Sequence, residues 1–413
     1  MYSSYSCNIC NLNTGIYFLP ALNKKDSLFK INKEWLKGFW MFKAKEKSDL
    51  ILLITVCLLS VFGSIMVFSA GYAYAKARYD DSNYFIKRQL IWLVIGLVLM
   101  YLTSHIKPTF YEALTPVLYI VTILLLILVL VIGFVGNGAK RWISIGPLTI
   151  QPSEIAKIAI ILIMAKYFSA YEKKALDFKD KKTILIYATV FPILLMLIPI
   201  VLVMLQKHLS CIIILGILGL LMIVASGVNL RYIALCCVIG VSGVSALAIF
   251  TDYTKERIMV WQNPELYKLT GGWQTLQGLM AIGSGGIFGV GLGKSVMKHC
   301  YVSEPANDMI FAILCEELGF TGALLAISLF ALLIFRGLKI SLSAPNVFTR
   351  LSAFGISIKM GVQVLLNIAV VTNTIPNTGI SLPFFSYGGS SLIMIFIEMG
   401  ILLSISRYSK IQK

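Results

Sequence analysis

Apolar residues run along this chain in long blocks rather than alternating with polar ones, and short clusters of charge, proline or glycine separate the blocks. Blocks of roughly 17–25 apolar residues are what an α-helix needs to cross the hydrocarbon of a bilayer. The pattern predicts an all-α, polytopic membrane protein with about ten transmembrane helices. They are expected near residues 49–71, 88–105, 110–135, 153–170, 184–204, 209–227, 231–251, 308–335, 351–373 and 386–406. One long loop, 252–307, lies within this 49–406 membrane domain, which is flanked by tails 1–48 and 407–413.

Composition excludes a soluble core: 58% of residues are hydrophobic and 13% charged, with a mean hydropathy of +0.84. The charge that remains is unevenly spread. Eight lysines precede the first span, five more lie in 173–182, Arg336, Lys339 and Arg350 share one short loop, and Arg407, Lys410 and Lys413 end the chain. With ten spans all of these fall on one side, which the positive-inside rule makes the cytoplasm. Both termini are therefore expected inside. The long loop and the shorter ones at 71–87, 136–152 and 372–385 are expected outside. The net charge of +17 is concentrated beside the membrane, where anionic headgroups attract it, so no nucleic-acid partner is needed to explain it.

The eight cysteines imply no outward disulfide framework, since only Cys300 falls in the long loop and Cys57, Cys211, Cys236, Cys237 and Cys315 fall in apolar spans. Cys7 and Cys10 have the gap of a zinc knuckle but no second pair. The first forty residues lack the features of a signal peptide and read as a cytosolic tail. Met41 precedes the basic lead FKAKEKSDLILL and is a second candidate start beside Met1.

Lys157, Lys166, Glu316, Glu317, Lys359 and Glu398 fall in or at the edge of spans, where an isolated charge costs on the order of 3 kcal/mol or more. Each should face the interior, snorkel or find a partner. Glu154 and Lys157, three apart on one helix face, are expected to pair, and Lys359 is the counter-ion candidate for Glu316, Glu317 or Glu398. These charges read equally as packing devices or as part of a pathway.

Asp308 differs, because it opens the span. One reading makes it a helix cap. The other makes it a catalytic base: a lone carboxylate can deprotonate an acceptor hydroxyl while a good leaving group departs unaided, as in sugar transfer from a diphosphate donor. Glu316 lies eight residues on, about 12 Å deeper and turned roughly 80°, so the two do not form a dyad. The loop around Asp308 holds Lys255, Arg257, Lys268, Lys294 and Lys298, and a neighbouring loop holds Lys140 and Arg141, all suited to a diphosphate. The run AIGSGGIFGVGLGKS, residues 281–295, offers N–H donors for a phosphate cradle, or is simply a glycine-rich membrane loop.

Five blocks then carry a family resemblance: FGSIMVFSAG (62–71), GAKRWISIGPLTIQPSEIAK (138–157), GWQTLQGLMAIGSGGIFGVGLGKS (272–295), EPANDMIFAILCEELGF (304–320) and NTGISLPFFSYGGSS (377–391). In this order they resemble the SEDS family, of shape, elongation, division and sporulation proteins, from about residue 49 to 406. The resemblance implies a ten-helix peptidoglycan glycosyltransferase that polymerises lipid II into β-1,4 glycan at the outer face of the bacterial cytoplasmic membrane. It also implies a class B penicillin-binding protein, a transpeptidase, as partner within the divisome or related machinery. The family's essential acidic residue falls on Asp308, as general base with inversion at the donor carbon. Arg141, Lys157, Lys294 and Lys298 become candidate diphosphate ligands, and Ser386, Gly388 and Gly389 shape the substrate cavity. Glu154, Glu316, Glu317, Lys359 and Glu398 become supporting charges.

The departures are local. QKHLSC (206–211) stands where many members carry Q-P-D-x-G-[ST], leaving no acidic group there, and Ala306, Asn307 and Met309 flank Asp308 with unusual side chains. The HLS wording and TGISLPFFSYGGSS lean to the division and sporulation branch. Two other classes suit the same architecture: a lipid-precursor flippase and a non-catalytic scaffold for the transpeptidase. His208, His299, Glu304 and Asp308 lack ligand spacing, so no protein metal site is expected. A divalent cation riding on the substrate diphosphate is the one cofactor expectation.

Overall fold

The computed structural model describes residues 48–136, 139–145, 148–175, 186–227, 252–269 and 271–409. The predicted span 231–251, the N-terminal tail with Met41 and the Cys7–Cys10 pair, Cys236, Cys237, and the lysines Lys410 and Lys413 lie outside the described residues.

Helices dominate, in the order α1 (Leu50–Tyr79), α2 (Tyr84–His105), α3 (Pro108–Ile132), α4 (Pro152–Ala175), α5 (Phe191–Leu205), α6 (Leu209–Ala225), α7 (Asp252–Gln262), α8 (Gly272–Gly285), α9 (Ile310–Leu342), α10 (Val347–Val371) and α11 (Gly389–Ser406). A π-helical turn, Ile186–Val190, leads into α5. Among the described residues seven segments are long and apolar enough to cross a membrane: α1, α2, α3, Ile186–Leu205, α9, α10 and α11. The chain is thus a multi-pass, all-α membrane protein. α6 is apolar but shorter, and α4 carries Glu154, Lys157 and Lys166 along its length.

Several boundaries move. α1 continues eight residues past its predicted end, because Lys76 and Arg78 favour the helix C-terminus. α9 starts at Ile310 and runs to Leu342, interrupted at Gly319, whose φ of 65° breaks it into two helical pieces. The loop expected at 136–152 is a small antiparallel sheet of β1 (Phe134–Gly136), β2 (Ala139–Ile145) and β3 (Leu148–Ile150), with Val135 opposite Lys140 and Ser144 opposite Thr149. The long loop 252–307 contains α7 and α8.

Packing follows from small residues and paired charges. α11 lies along α2, and α9 lies against α10, α8 and α1. Gly400 lets α11 approach α2 so closely that a Cβ there would fall 1.8 Å from Thr103 Oγ1. Apolar side chains such as Leu58, Val94, Leu124 and Leu365 point outward, as lipid-facing positions should. At one end of the bundle Asp49 caps α1, accepting from Leu52 N at 2.9 Å, and pairs with Arg336 of α9. The opposite end opens into a cavity.

Candidate functional site

The cavity has a volume of about 730 Å³ and gathers residues from widely separated parts of the chain. Arg88 and Trp92 come from α2, Arg141 from β2, Glu154 and Lys157 from α4, and His208 and Ser210 from the corner before α6. Arg257 of α7, Gln274 of α8, the turn holding Glu304, Asn307 and Asp308, and two stretches around 377–381 and 387–391 complete it.

Asp308 is half-buried in this cavity, and its backbone is held from two sides. The amide of Asn367, buried in α10, donates to Asp308 O at 2.9 Å and to Ile380 O at 2.6 Å. Ser386 Oγ donates to Asn307 O at 2.7 Å and accepts from Leu382 N at 2.7 Å, while Tyr387 N donates to Ala306 O at 2.8 Å. The SYGGSS block therefore staples the turn that presents Asp308. Gly379, at φ 70°, passes so near that a Cβ would lie 3.7 Å from Asp308 Oδ2.

The helix cap reading of Asp308 does not hold. The N-cap of α9 is Met309, with no side-chain cap. The Asp308 carboxylate instead accepts from Gln274 Nε2, at 3.3 Å to Oδ2 and 3.5 Å to Oδ1. Gln274 Oε1 accepts from Asn377 Nδ2 at 3.1 Å, and Arg257 donates to Asn377 O. Burial pushes the Asp308 carboxyl up to about 6, with the charge of Glu304 adding to the effect and Gln274 and Arg257 opposing it.

On the facing wall Glu154 and Lys157 pair at 2.6 Å, both buried, and Ser391 Oγ donates to Glu154 at 3.3 Å. Arg141 donates to Lys207 O at 2.5 Å. His208 lies 3.2 Å from Ser153 Oγ, and burial, reinforced by Arg141, pushes its imidazole down to about 3, so it is neutral at neutral pH. The QKHLSC departure thus contributes a neutral polar corner to the cavity, with Ser210 Oγ donating to Thr378 O.

The other expected residues divide cleanly. Gly388 and Gly389 line the cavity, and Gly389 sits under Trp92, where a Cβ would fall 2.5 Å from the ring. Ser386 is buried behind the wall. Lys359 pairs with Glu398 at 2.7 Å, both fully buried, rather than with Glu316 or Glu317. Lys298 is buried against Glu317 at 2.8 Å, and Lys294, Lys255 and Lys268 are exposed; none of these four lines the cavity. The 286–298 loop is not a phosphate cradle: Val290 N and Gly291 N donate to the carbonyls of Glu316 and Glu317, and Val296 N and Met297 N to the Glu316 carboxylate. These four donors are engaged by the protein.

Gln274, Asn367 and Asn377 were not singled out from sequence. Gln274 lies within one of the five blocks, but an amide carries no charge to betray it, and its partnership with Asp308 spans 34 residues. Among the described residues no three His, Cys, Asp or Glu side chains converge to hold a metal ion.

A family model described as a cell cycle protein, covering FtsW, RodA and SpoVE, matches residues 49–411. The chain is 39% identical to stage V sporulation protein E of Bacillus subtilis over 90% of its length and 100% of that protein. It is 35% identical to a probable peptidoglycan glycosyltransferase FtsW of Geobacter sulfurreducens over 88% of this chain and 96% of the relative. A solved structure described as the structural coordination of polymerization and crosslinking by a peptidoglycan synthase complex aligns with a TM-score of 0.71 at 27% identity, covering 87% of this chain and 98% of that one.

Proposed function

The chain belongs to the FtsW, RodA and SpoVE family of cell cycle proteins, and on that premise we propose that it is a peptidoglycan glycosyltransferase of cell division, sporulation or cell shape. Its substrate in this reading is lipid II, joined into β-1,4 glycan at the outer face of the bacterial cytoplasmic membrane. The names of the FtsW and SpoVE relatives support the activity and its setting. The observation that carries it to this chain is the carboxylate of Asp308, half-buried in a large cavity with its pKa raised to about 6.

The chemistry follows from that environment. A carboxylate of ordinary acidity is a weak base, whereas one near 6 is still ionised at neutral pH and accepts a proton more readily. Asp308 takes the proton of the acceptor sugar hydroxyl as its oxygen attacks the donor's anomeric carbon. The bond from that carbon to the lipid diphosphate breaks on the opposite side, inverting the centre, and the diphosphate leaves with the bonding electrons. Gln274 orients the carboxylate. Arg141, Lys157, Arg88 and Arg257 line the same cavity and supply positive charge for the two diphosphate headgroups. A divalent cation would arrive with the diphosphate.

In this reading both termini are cytoplasmic and the cavity faces outward, which the distribution of basic clusters supports, and 49–406 is the catalytic membrane domain between tails 1–48 and 407–413. The partner in this reading is a class B penicillin-binding protein within the divisome or related machinery, supported by the similarity to a chain of a complex that couples polymerization to crosslinking.

Labelled lipid II supplied to the chain with its transpeptidase tests the proposal. Glycan ladders from the native protein and none from folded Asp308→Asn are expected. Equal ladders would remove Asp308 as the base. No ladder from either, in an assay validated with an active synthase, would favour the flippase or scaffold.

A further inference from the structure

The Asp49–Arg336 pair ties the start of α1 to α9 at the end of the bundle away from the cavity. From that level two helices rise independently to one polar cluster, where Ser69 of α1 and Lys298 both donate to the Glu317 carboxylate of α9. Ser69 is twenty residues from Asp49, and Glu317 nineteen from Arg336. At 1.5 Å per residue the unbroken α1 stretch from Asp49 to Ser69 rises about 30 Å, which is the thickness of the hydrocarbon core, and α9, interrupted at Gly319, meets it at the same cluster. The cluster therefore marks the hydrocarbon boundary on the cavity side.

The 286–298 loop folds over this cluster with its tip on the hydrocarbon side of it. Phe320 N donates to Gly286 O at 2.9 Å and Thr321 N to Ile287 O at 3.0 Å. The tip is thus level with residues three to four positions beyond Glu317, on the hydrocarbon side of the boundary. Gly319 (φ 65°) and Gly289 (φ 77°) permit the contact, since a Cβ on either would fall within 2.3 Å of the other strand's backbone.

The side chains sort by the same level. Ile287 and Phe288 are 64% and 79% exposed, beside Phe320 at 65%, and continue the exposed apolar face that Leu324 and Leu325 form on α9. Ser295 and Lys298 turn inward to Glu316 and Glu317. Lys294 alone of the loop's charges stays exposed, close to the boundary.

We propose that this loop is a membrane-inserting wedge, with Ile287 and Phe288 among the acyl chains of the cavity-side leaflet and Lys294 at the lipid phosphates. Hydrocarbon tolerates an irregular loop only when its backbone is paired. Here Gly289 N, Val290 N, Gly291 N and Lys294 N all have carbonyl partners. A lysine at that level reaches headgroups through its flexible stem. The wedge stands independently of the glycosyltransferase reading.

A photoreactive diazirine-phenylalanine placed at position 288 of the full chain in its native membrane tests it, with the same probe at Phe320 and at Leu269. Leu269 is 97% exposed in the turn after α7 and serves as the aqueous control. After illumination, mass spectrometry should find phospholipid adducts at 288 and 320 and none at 269. A protein adduct at 288 and 320 would overturn the proposal in favour of a partner helix covering this face. Water addition at 288, or lipid adducts equal at all three positions, would overturn it as well.

Discussion

Glu398 and Asp308 are enclosed by the same helical bundle and differ in what meets them. Glu398, with no exposed surface, has the ammonium of Lys359 at 2.7 Å. Asp308, at the cavity wall, has an amide at 3.3 Å and another carboxylate, Glu304, among its neighbours. Glu154 and Glu317 follow Glu398, each with a buried lysine within 2.8 Å. In a membrane interior an ion pair is how a charge is tolerated. A carboxylate that a fold leaves without a cation, beside open volume, is free to take up a proton from something else. The contrast separates charges that hold the bundle from a carboxylate that can act on a substrate.

The sharpest way to break that contrast is Asp308→Asn, which keeps shape and removes the base. Polymerisation of labelled lipid II should fall by about 10²- to 10⁴-fold, the range for loss of a general base. Because burial raises this carboxyl, the fold favours its protonated form. That contribution is present at low pH and is lost as pH rises through about 6. The asparagine variant should therefore melt no lower than the native protein at neutral pH. A lower melt would mean that Asp308 is a structural charge like Glu398.

The converse substitution belongs to the paired region. Lys359→Met leaves Glu398 buried without its cation and should cost about 3–5 kcal/mol of stability, whereas Lys359→Met with Glu398→Met should recover most of it. Thermal unfolding in detergent, with expression level as a second readout, measures both. Equal losses in single and double variants would show that the pair does more than neutralise itself.

A milder perturbation uses pH alone. With Asp308 near 6, the rate should be level at pH 8 and drop about tenfold per unit well below pH 6 as the base is protonated. His208, pushed down to about 3, stays neutral across that window and contributes no limb. A limb near 4 would return Asp308 to ordinary carboxylate behaviour.

The division between these regions was half legible in the sequence. Charges inside apolar blocks announce themselves, so Glu154, Lys157, Lys359 and Glu398 could be named, and the i, i+3 spacing of the first pair predicted its contact. The partner of Lys359 was open because Glu316, Glu317 and Glu398 are equally acidic, and only the packing of α10 chooses among them. Lys298 looked like a free loop cation because the fold-back of 286–298 onto Gly319 has no periodic signature. Ser386 read as a cavity residue for a similar reason: its hydrogen bond to Asn307 O joins positions 79 residues apart. Span existence came from hydropathy, but the small sheet at 134–150 did not, since three short strands leave too few residues for an alternating pattern to register.

The smallest expected effect tests how Asp308 is held. Gln274 donates to its carboxylate and is itself fixed by Asn377. A donor stabilises the charged form, so removing it in Gln274→Met raises the Asp308 pKa further, and the acidic limb of the pH–rate profile should move to higher pH. At pH 8, where the base is ionised either way, the loss should be less than about tenfold, and it should widen as pH falls toward 7. Gln274→Asn, which keeps an amide but shortens the reach, should lie between the two. A loss that is the same at every pH would mean that Gln274 shapes the cavity without tuning the base, and the amide at 3.3 Å would then be a packing contact.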